Sequence, residues 1–330
     1  MQQLKKIGAL LIVLGTFVVL DLRFSASLNP YLMQMVIYAG INIMLAVSLN
    51  LINGFTGQFS IGHAGFMAIG AYSAATFTYY LGPHLLTSSF LPQVISKWLI
   101  FIIALSTGGF VAALAGVLVG IPSLRLKGDY LAIVTLGFGE IIRVVILNID
   151  AVGGARGFAD IPGYTSLFWV LALATLTVVV IRNLVYSSHG RAFLSVREDE
   201  IAAEAMGINT TYYKVIAFVI GAFFAGVAGG LFAHYLLYLH TNSFTFMKSI
   251  EIIIMVVLGG MGSITGSIVA AIILTLLPEA LRPVKEYRLV IYSGLLIVMM
   301  LTRPQGIFGV REFSWKWLKD KILRRSAQAI

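Results

Sequence analysis

Apolar runs long enough to cross a bilayer recur along this chain, separated by short polar stretches. The clearest are Ile7–Leu20, Tyr31–Ile52, Ile61–Leu81, Trp98–Ile121, Tyr130–Ile149, Thr165–Val185, Tyr212–Leu239 and Arg288–Leu301. Roughly 20 apolar residues, each rising about 1.5 Å, cover the ~30 Å hydrocarbon core. The runs lack the two-residue alternation of barrel strands, so they predict helices. A ninth apolar stretch, Ile250–Leu277, is interrupted by Gly259-Gly260-Met261-Gly262-Ser263. The pattern predicts an all-α integral membrane protein, a polytopic helical bundle in one domain over residues 1–330. It has about 8 full spans plus a Gly-interrupted re-entrant pair, about 8 to 10 hydrophobic helices in all.

Composition excludes the alternatives. The chain is 59% hydrophobic and 11% charged, whereas a soluble globule needs about a quarter of its residues charged. Disordered chains are polar, so disorder is excluded as well. Without cysteine there is no disulfide, thiolate metal site or thiol nucleophile. The net charge of +9 does not point to nucleic acid, because the basic residues lie between and after the apolar runs rather than on one face. They read instead as orientation, since short cytoplasmic loops are enriched in Lys and Arg. With the N-terminus inside and the broken stretch a hairpin entered from outside, about twice as many basic residues fall inside as outside. Arg23, Lys97, Arg156 and Lys248 are among the outer ones. A single crossing evens the tally, so the hairpin is favoured and the basic tail at about 303–330 is cytoplasmic. Lys5 and Lys6 before the first run, with Ser25-Ala26-Ser27 after it, resemble a secretion signal. Asp21 and Arg23 intervene, which favours a retained first helix.

Two stretches break helical continuity at membrane depth: Asn53–Gly65 and Gly259–Gly266. Irregular backbone is tolerated there only where protein or a cavity satisfies its polar groups. Paired glycine interruptions in the two halves of a chain point to a translocation site. Close helix packing is the plainer account of small residues, and it is preferred for the isolated Gly226, Gly229 and Gly230. Ionisable groups within spans need a partner or a cavity. Glu140 and Arg143 share a helix face and can pair, Glu251 begins the broken stretch, and His63 lies in the first break. Asn42, Asn50 and Asn148 add polar groups. The candidate substrate pathway is therefore Gln58, Ser60, His63, Glu140, Glu251, Gly259, Gly260, Gly262 and Ser263. A structural ion pair at Glu140 and a packing histidine at His63 are the bland alternatives.

No phosphate loop, His-Glu-x-x-His zinc motif or Gly-x-Ser-x-Gly elbow occurs. An intrinsic enzyme is not expected, and any uphill transport would be driven by a partner.

The longest inside loop runs from Arg182 to Lys214, with its centre at about 186–211. Glu198–Met206 favours helix and Gly207 suits a helix terminus. Such a short helix can dock in a groove on another protein, although a solvated loop has the same composition. Ala202-Ala203-x-x-x-Gly207 resembles the coupling-helix motif of ABC importer permeases, Glu-Ala-Ala-x-x-x-Gly, except that Ile201 stands in the Glu position and Glu200 one place early. The surrounding run, Gly190 to Asn209, is more closely similar to the branched-chain amino acid permease family of the LivM type. So are Thr56–Phe66, Gly120–Tyr130, Thr135–Arg143, Gly259–Gly266 and Arg303-Pro304-Gln305-Gly306, in family order over nearly the whole chain.

The resemblance implies a permease subunit in a bacterial cytoplasmic (inner) membrane, importing neutral, branched-chain amino acids. Implied partners are a LivH-type second permease subunit, two cytosolic ATPase subunits, an extracytoplasmic substrate-binding protein and membrane lipid, with no nucleic acid. ATP and magnesium would belong to the ATPases, leaving no cofactor in this chain. Arg191, Arg197, Glu198, Glu200, Ala202, Ala203, Glu204 and Gly207 would form the ATPase coupling loop. Gly153–Gly157 and Ile161-Pro162-Gly163 would face the binding protein. A related urea permease, a self-contained secondary transporter or channel, and a membrane-embedded enzyme are the competing readings.

Overall fold

The computed structural model describes residues 15–24, 29–88, 92–123 and 128–280, then positions 287, 293–294, 297–298, 301–302, 306–307 and 309. Most of Ile7–Leu20, most of Arg288–Leu301, Lys5, Lys6, Ser25-Ala26-Ser27, Arg125, Lys127, Arg303-Pro304-Gln305 and the tail 310–330 lie outside the described residues.

Among the described residues the structure is helical, without a named strand. Helix α1 (Pro30–Asn50) continues as a π turn, Leu51–Phe55. Helix α2 (His63–Thr76) likewise runs through a π turn, Phe77–Leu81, into α3 (Gly82–Ser88). There follow α4 (Gln93–Ser123), α5 (Asp129–Leu147) and α6 (Leu167–Val185). The short helices α7 (Ser188–Glu198) and α8 (Glu200–Ala205) precede α9 (Thr210–Leu236), α10 (Phe246–Gly259) and α11 (Ile264–Ala280). Local chemistry sets these ends. Pro30 occupies the first turn of α1, where its missing N–H costs nothing. Asn209 caps α9 by accepting from Tyr212 N at 3.0 Å.

Among the described residues, six segments are long and apolar enough to span a bilayer: Pro30–Phe55, Gln93–Pro122, Asp129–Leu147, Leu167–Val185, Thr210–Leu236 and Thr241–Gly259. Ile264–Ala280 is apolar but shorter. The chain is thus a multi-pass helical membrane protein, with α1 and α9 most enclosed (78% and 67% of their apolar windows buried) and α5 least (22%).

Glycine permits the closest approaches. A Cβ on Gly70 of α2 would fall 2.2 Å from Gly226 Cα of α9. One on Gly226 would fall 2.7 Å from the Gly108 carbonyl of α4, and one on Gly108 would fall 2.6 Å from the Gly70 carbonyl. Backbones of three helices therefore touch at one node, which only residues without a side chain allow. Gly229 and Gly230 pack in the same way against α2 and Leu105, as the packing reading of these glycines expects.

Candidate functional site

The two sequence breaks meet. The π turn 51–55 releases α1 from its regular ladder, and residues 56–62 are non-helical before α2 begins. Asn53 closes this stretch, accepting from Ser60 N at 3.2 Å and donating to Ser60 O at 3.3 Å. Thr56 Oγ1 donates to Ile52 O at 2.7 Å, and Ile61 N reaches Thr135 Oγ1 on α5 at 3.0 Å. At the second break, Gly260 (φ +110°) and Gly262 (φ +88°) take conformations that side chains disfavour. Ser263 then caps α11, its hydroxyl accepting from Gly266 N at 3.1 Å. A Cβ on Gly259 would strike the Gly266 backbone at 2.4 Å, so α10 and α11 pack tightly beside their turn.

Fully buried Asn50 joins the two breaks. Its Oδ1 accepts from Gly262 N and its Nδ2 donates to Ser263 O, each at 2.9 Å. Gly54 is required for this approach, since a Cβ there would lie 1.9 Å from Asn50 Oδ1 and 2.3 Å from Gly262 N. Gly306 and Gly309 pack on Gly260, and Ile307 N donates to Leu258 O at 2.8 Å. Two residues back on α1, Ser48 Oγ lies 2.9 Å from His63 Nε2, both groups fully buried. Ser249 on α10 accepts from Ala64 N at 3.1 Å. Gln58 Oε1, Ser60 Oγ and His63 Nδ1 are buried without a hydrogen-bond partner among the described residues.

The 186–211 loop is seated on the first break. Phe193 and Val196 are buried, with Phe193 packed among Val47, Leu51 and Phe55. Arg197 lays its stem over Gly57 (φ +69°), where a Cβ would be 2.9 Å from Arg197 Cγ, and Nη1 donates to Gly54 O at 3.0 Å. Gln58 Nε2 reaches Lys214 O at 3.3 Å, while Lys214 pairs with Glu200 at 2.5 Å. Glu204 accepts from Thr210 Oγ1 at 2.6 Å.

The expected helix over Glu198–Met206 is corrected to two helices. Asp199 is extended (φ −156°), and its carboxylate accepts from Ile201 N and Ala202 N. Capping a new helix there competes successfully with continuing the old one. Gly207 (φ +81°) ends α8 as expected: Ile208 N donates to Ala203 O and Gly207 N to Glu204 O, a complete Schellman closure. Ala203 is buried, whereas Arg191, Glu198, Ala202, Ile201 (75% exposed) and Met206 (82% exposed) face outward.

Two further positions depart from the pattern. Lys248, assigned to an outer loop by charge counting, sits within the bundle: Nζ is 3.2 Å from Asn42 Oδ1 midway along α1 and 3.0 Å from Glu251 Oε2. The tally reads order along the chain and is blind to depth. After α9 the chain turns at Leu237 (φ +63°) and passes through a 3-10 turn, Thr241–Phe244, before α10 starts. Glu140 pairs with Arg143 at 2.8 Å on α5, part-exposed, and lines neither the cavity beside Lys248 and Glu251 nor the one beside Tyr72 and Tyr80. Its neighbour Gly139 packs on Gly62 and Gly65, but among the described residues no hydrogen bond or ion pair joins Glu140 to Gln58, Ser60, His63 or Glu251. Asn50, Asn42 and Lys248 emerge as site residues that sequence reasoning left unassigned. Asn50 was visible only as one polar group in an apolar run.

At the end of the bundle opposite the 186–211 loop, Gly153, Gly154 and Gly157 all have positive φ. Phe158 and Leu239 exchange two 2.8 Å backbone hydrogen bonds, and Tyr238 donates to Arg156 O at 2.8 Å. The loop is therefore tied down rather than a free connector.

Comparison with known proteins places this architecture. Residues 31–301 match the family model described as branched-chain amino acid transport system / permease component. The chain is 38% identical over 302 residues to the high-affinity branched-chain amino acid transport system permease protein LivM of Salmonella typhimurium, covering 81% of this chain and 67% of the relative. It is 22% identical to the probable LivM of Methanocaldococcus jannaschii, covering 89% and 98% respectively. It is also 36% identical over 166 residues to LivH of Escherichia coli, covering 48% of this chain and 52% of the relative. No solved structure matches.

Proposed function

Because the chain belongs to the family of branched-chain amino acid transport permeases, we propose that it forms the LivM-type half of an ATP-driven importer for neutral, branched-chain amino acids. A LivH-type subunit supplies the other half of the passage, two cytosolic ATPases hold ATP and magnesium, and an extracytoplasmic protein delivers substrate. In this reading Thr241–Gly259 and Ile264–Ala280 are the arms of a hairpin entered from outside. About 8 spans surround it, and Gly306, Ile307 and Gly309 pack at the hairpin's tip.

One observation carries the mechanism: Arg197 of the 186–211 loop holds the Gly54 carbonyl, and the same turn of α1 is fastened through Asn50 to the second break. A push on the loop is transmitted to both interruptions without crossing a flexible joint. Exposed Ile201 on α8 and Met206 at its C-cap supply apolar contacts for an ATPase groove. Gln58, Ser60 and His63 supply buried polar atoms beside the inner end of the pathway. Glu140 and Arg143 belong to the contact with the second permease, because a part-exposed ion pair on the least enclosed span is too costly against lipid.

Deleting Glu200–Gly207 is expected to abolish co-purification of the ATPase subunits. Arg197→Ala keeps the exposed face of α8, so the ATPases still co-purify, but leucine uptake into proteoliposomes falls about tenfold, as loss of a charge-assisted hydrogen bond implies. Leucine accumulation by this chain alone, without ATPases, contradicts the reading.

A further inference from the structure

A cavity of about 390 Å³ lies among α1, α2, α9, α10 and α11, within the size range of small-molecule sites. Its polar corner is Lys248, Glu251, Asn42 and Thr275. Lys248 Nζ donates to Glu251 Oε2 at 3.0 Å and to Asn42 Oδ1 at 3.2 Å, and Asn42 Nδ2 donates to Thr275 Oγ1 at 2.9 Å. Met35, Ile41, Met67, Phe232, Leu236 and Leu274 form the apolar wall. Leu236 and Pro278 lie in the last turns of α9 and α11, so the cavity runs from that end of the bundle inward to the ion pair.

Helix energetics do not account for the pair. Lys248 stands in the first turn of α10, where a cation opposes the helix dipole. Lysine ahead of glutamate is also the weaker order for a helical ion pair. Both side chains retain access to the cavity, at 21% and 38% exposure. Charges at this depth in a spanning bundle mark substrate paths. The ammonium's three protons meet two acceptors among the described residues, and Glu251 Oε1 meets no donor there. One cationic donor and one anionic acceptor thus remain side by side, next to an aliphatic wall.

We infer that this cavity takes the zwitterionic head of a neutral amino acid, Lys248 receiving the carboxylate and Glu251 the ammonium, with the aliphatic side chain against the wall. The inference rests on the transport reading above and adds the head-group contacts to it. A charged side chain finds no counter-ion among the wall residues, and an uncharged solute such as urea offers hydrogen bonds but no opposite charge to either group.

The test uses the assembled importer, in proteoliposomes for leucine uptake and purified for photolabelling with a diazirine analogue of leucine. Lys248→Met and Glu251→Gln are each expected to lower uptake at least about tenfold and to abolish labelling of the cavity wall, with the ATPases still co-purifying. The exchange Lys248→Glu with Glu251→Lys restores an ion pair, and with it any purely structural role, but presents the head group with reversed charges. Uptake is expected to stay low. Labelling and uptake retained by the single variants, or uptake restored by the exchange, overturn the inference and leave the transport reading intact. Charge-dependent labelling in a wild-type complex that hydrolyses ATP without accumulating leucine does the opposite.

Discussion

Gly70→Leu is expected to abolish recovery of folded protein. The Gly70 backbone touches Gly226 of α9 and Gly108 of α4, with a Cβ falling 2.2 Å from Gly226 Cα. The three nearest atoms are all Gly226 backbone, so no side chain can rotate away, and relief requires separating α2 from α9. Overpacking in an adaptable core costs about 1–3 kcal/mol. Here the floor is roughly 3 kcal/mol, because the obstacle is main chain. Heating the detergent-solubilised subunit and following its monodisperse fraction measures the effect. Gly137→Ala provides the contrast: nothing lies within 4 Å of a Cβ there, so the change is expected to be neutral or slightly stabilising through helix propensity. A Gly70→Leu protein with the wild-type melting profile would show that the three helices do not meet at this node.

Asn50→Leu is expected to separate the two breaks. The asparagine satisfies Gly262 N and adds a bond to Ser263 O; leucine of similar volume leaves the buried Gly262 N without its partner, while Ser263 O keeps Ser267 N and Oγ. One such orphan costs about 1–3 kcal/mol, so the turn between α10 and α11 loses roughly that much support. Hydrogen exchange should rise sharply at residues 259–266 while the node of α2, α4 and α9 stays protected. Uniform exchange across the chain would indicate global unfolding, and unchanged exchange at 259–266 would remove Asn50 from its joining role.

The spans were legible because an apolar run of bilayer length has few other destinations, and α1, α4, α5, α6 and α9 fall on expected runs within a few residues. The breaks were legible as glycine clusters in otherwise apolar sequence. Their contact was not, because Asn50 and Gly262 are distant in the chain and nothing in either segment names the other. The π turn at Leu51–Phe55 was legible only in part: Asn53-Gly54 opens the first break, whereas Leu51 and Ile52 read as a continuation of the helix. Depth was equally invisible. Lys248 reads as a loop lysine until the 3-10 turn at Thr241–Phe244 carries the chain back among the helices. The cap at Asp199 was missed because residues 198–206 are strong helix formers on either side of it.

The reciprocal hydrogen bonds between Phe158 and Leu239 fasten the glycine bends at 153–157 to the arm that descends toward Lys248. Pressure applied to those bends from above is therefore delivered as a tug on α10, whose opposite tip answers to Arg197 from below through Asn50. A single element is strung between both faces, like a bell rope with a ringer at each end; under the proposed importer reading, arrival of cargo and firing of the engine would be sensed by the same helix.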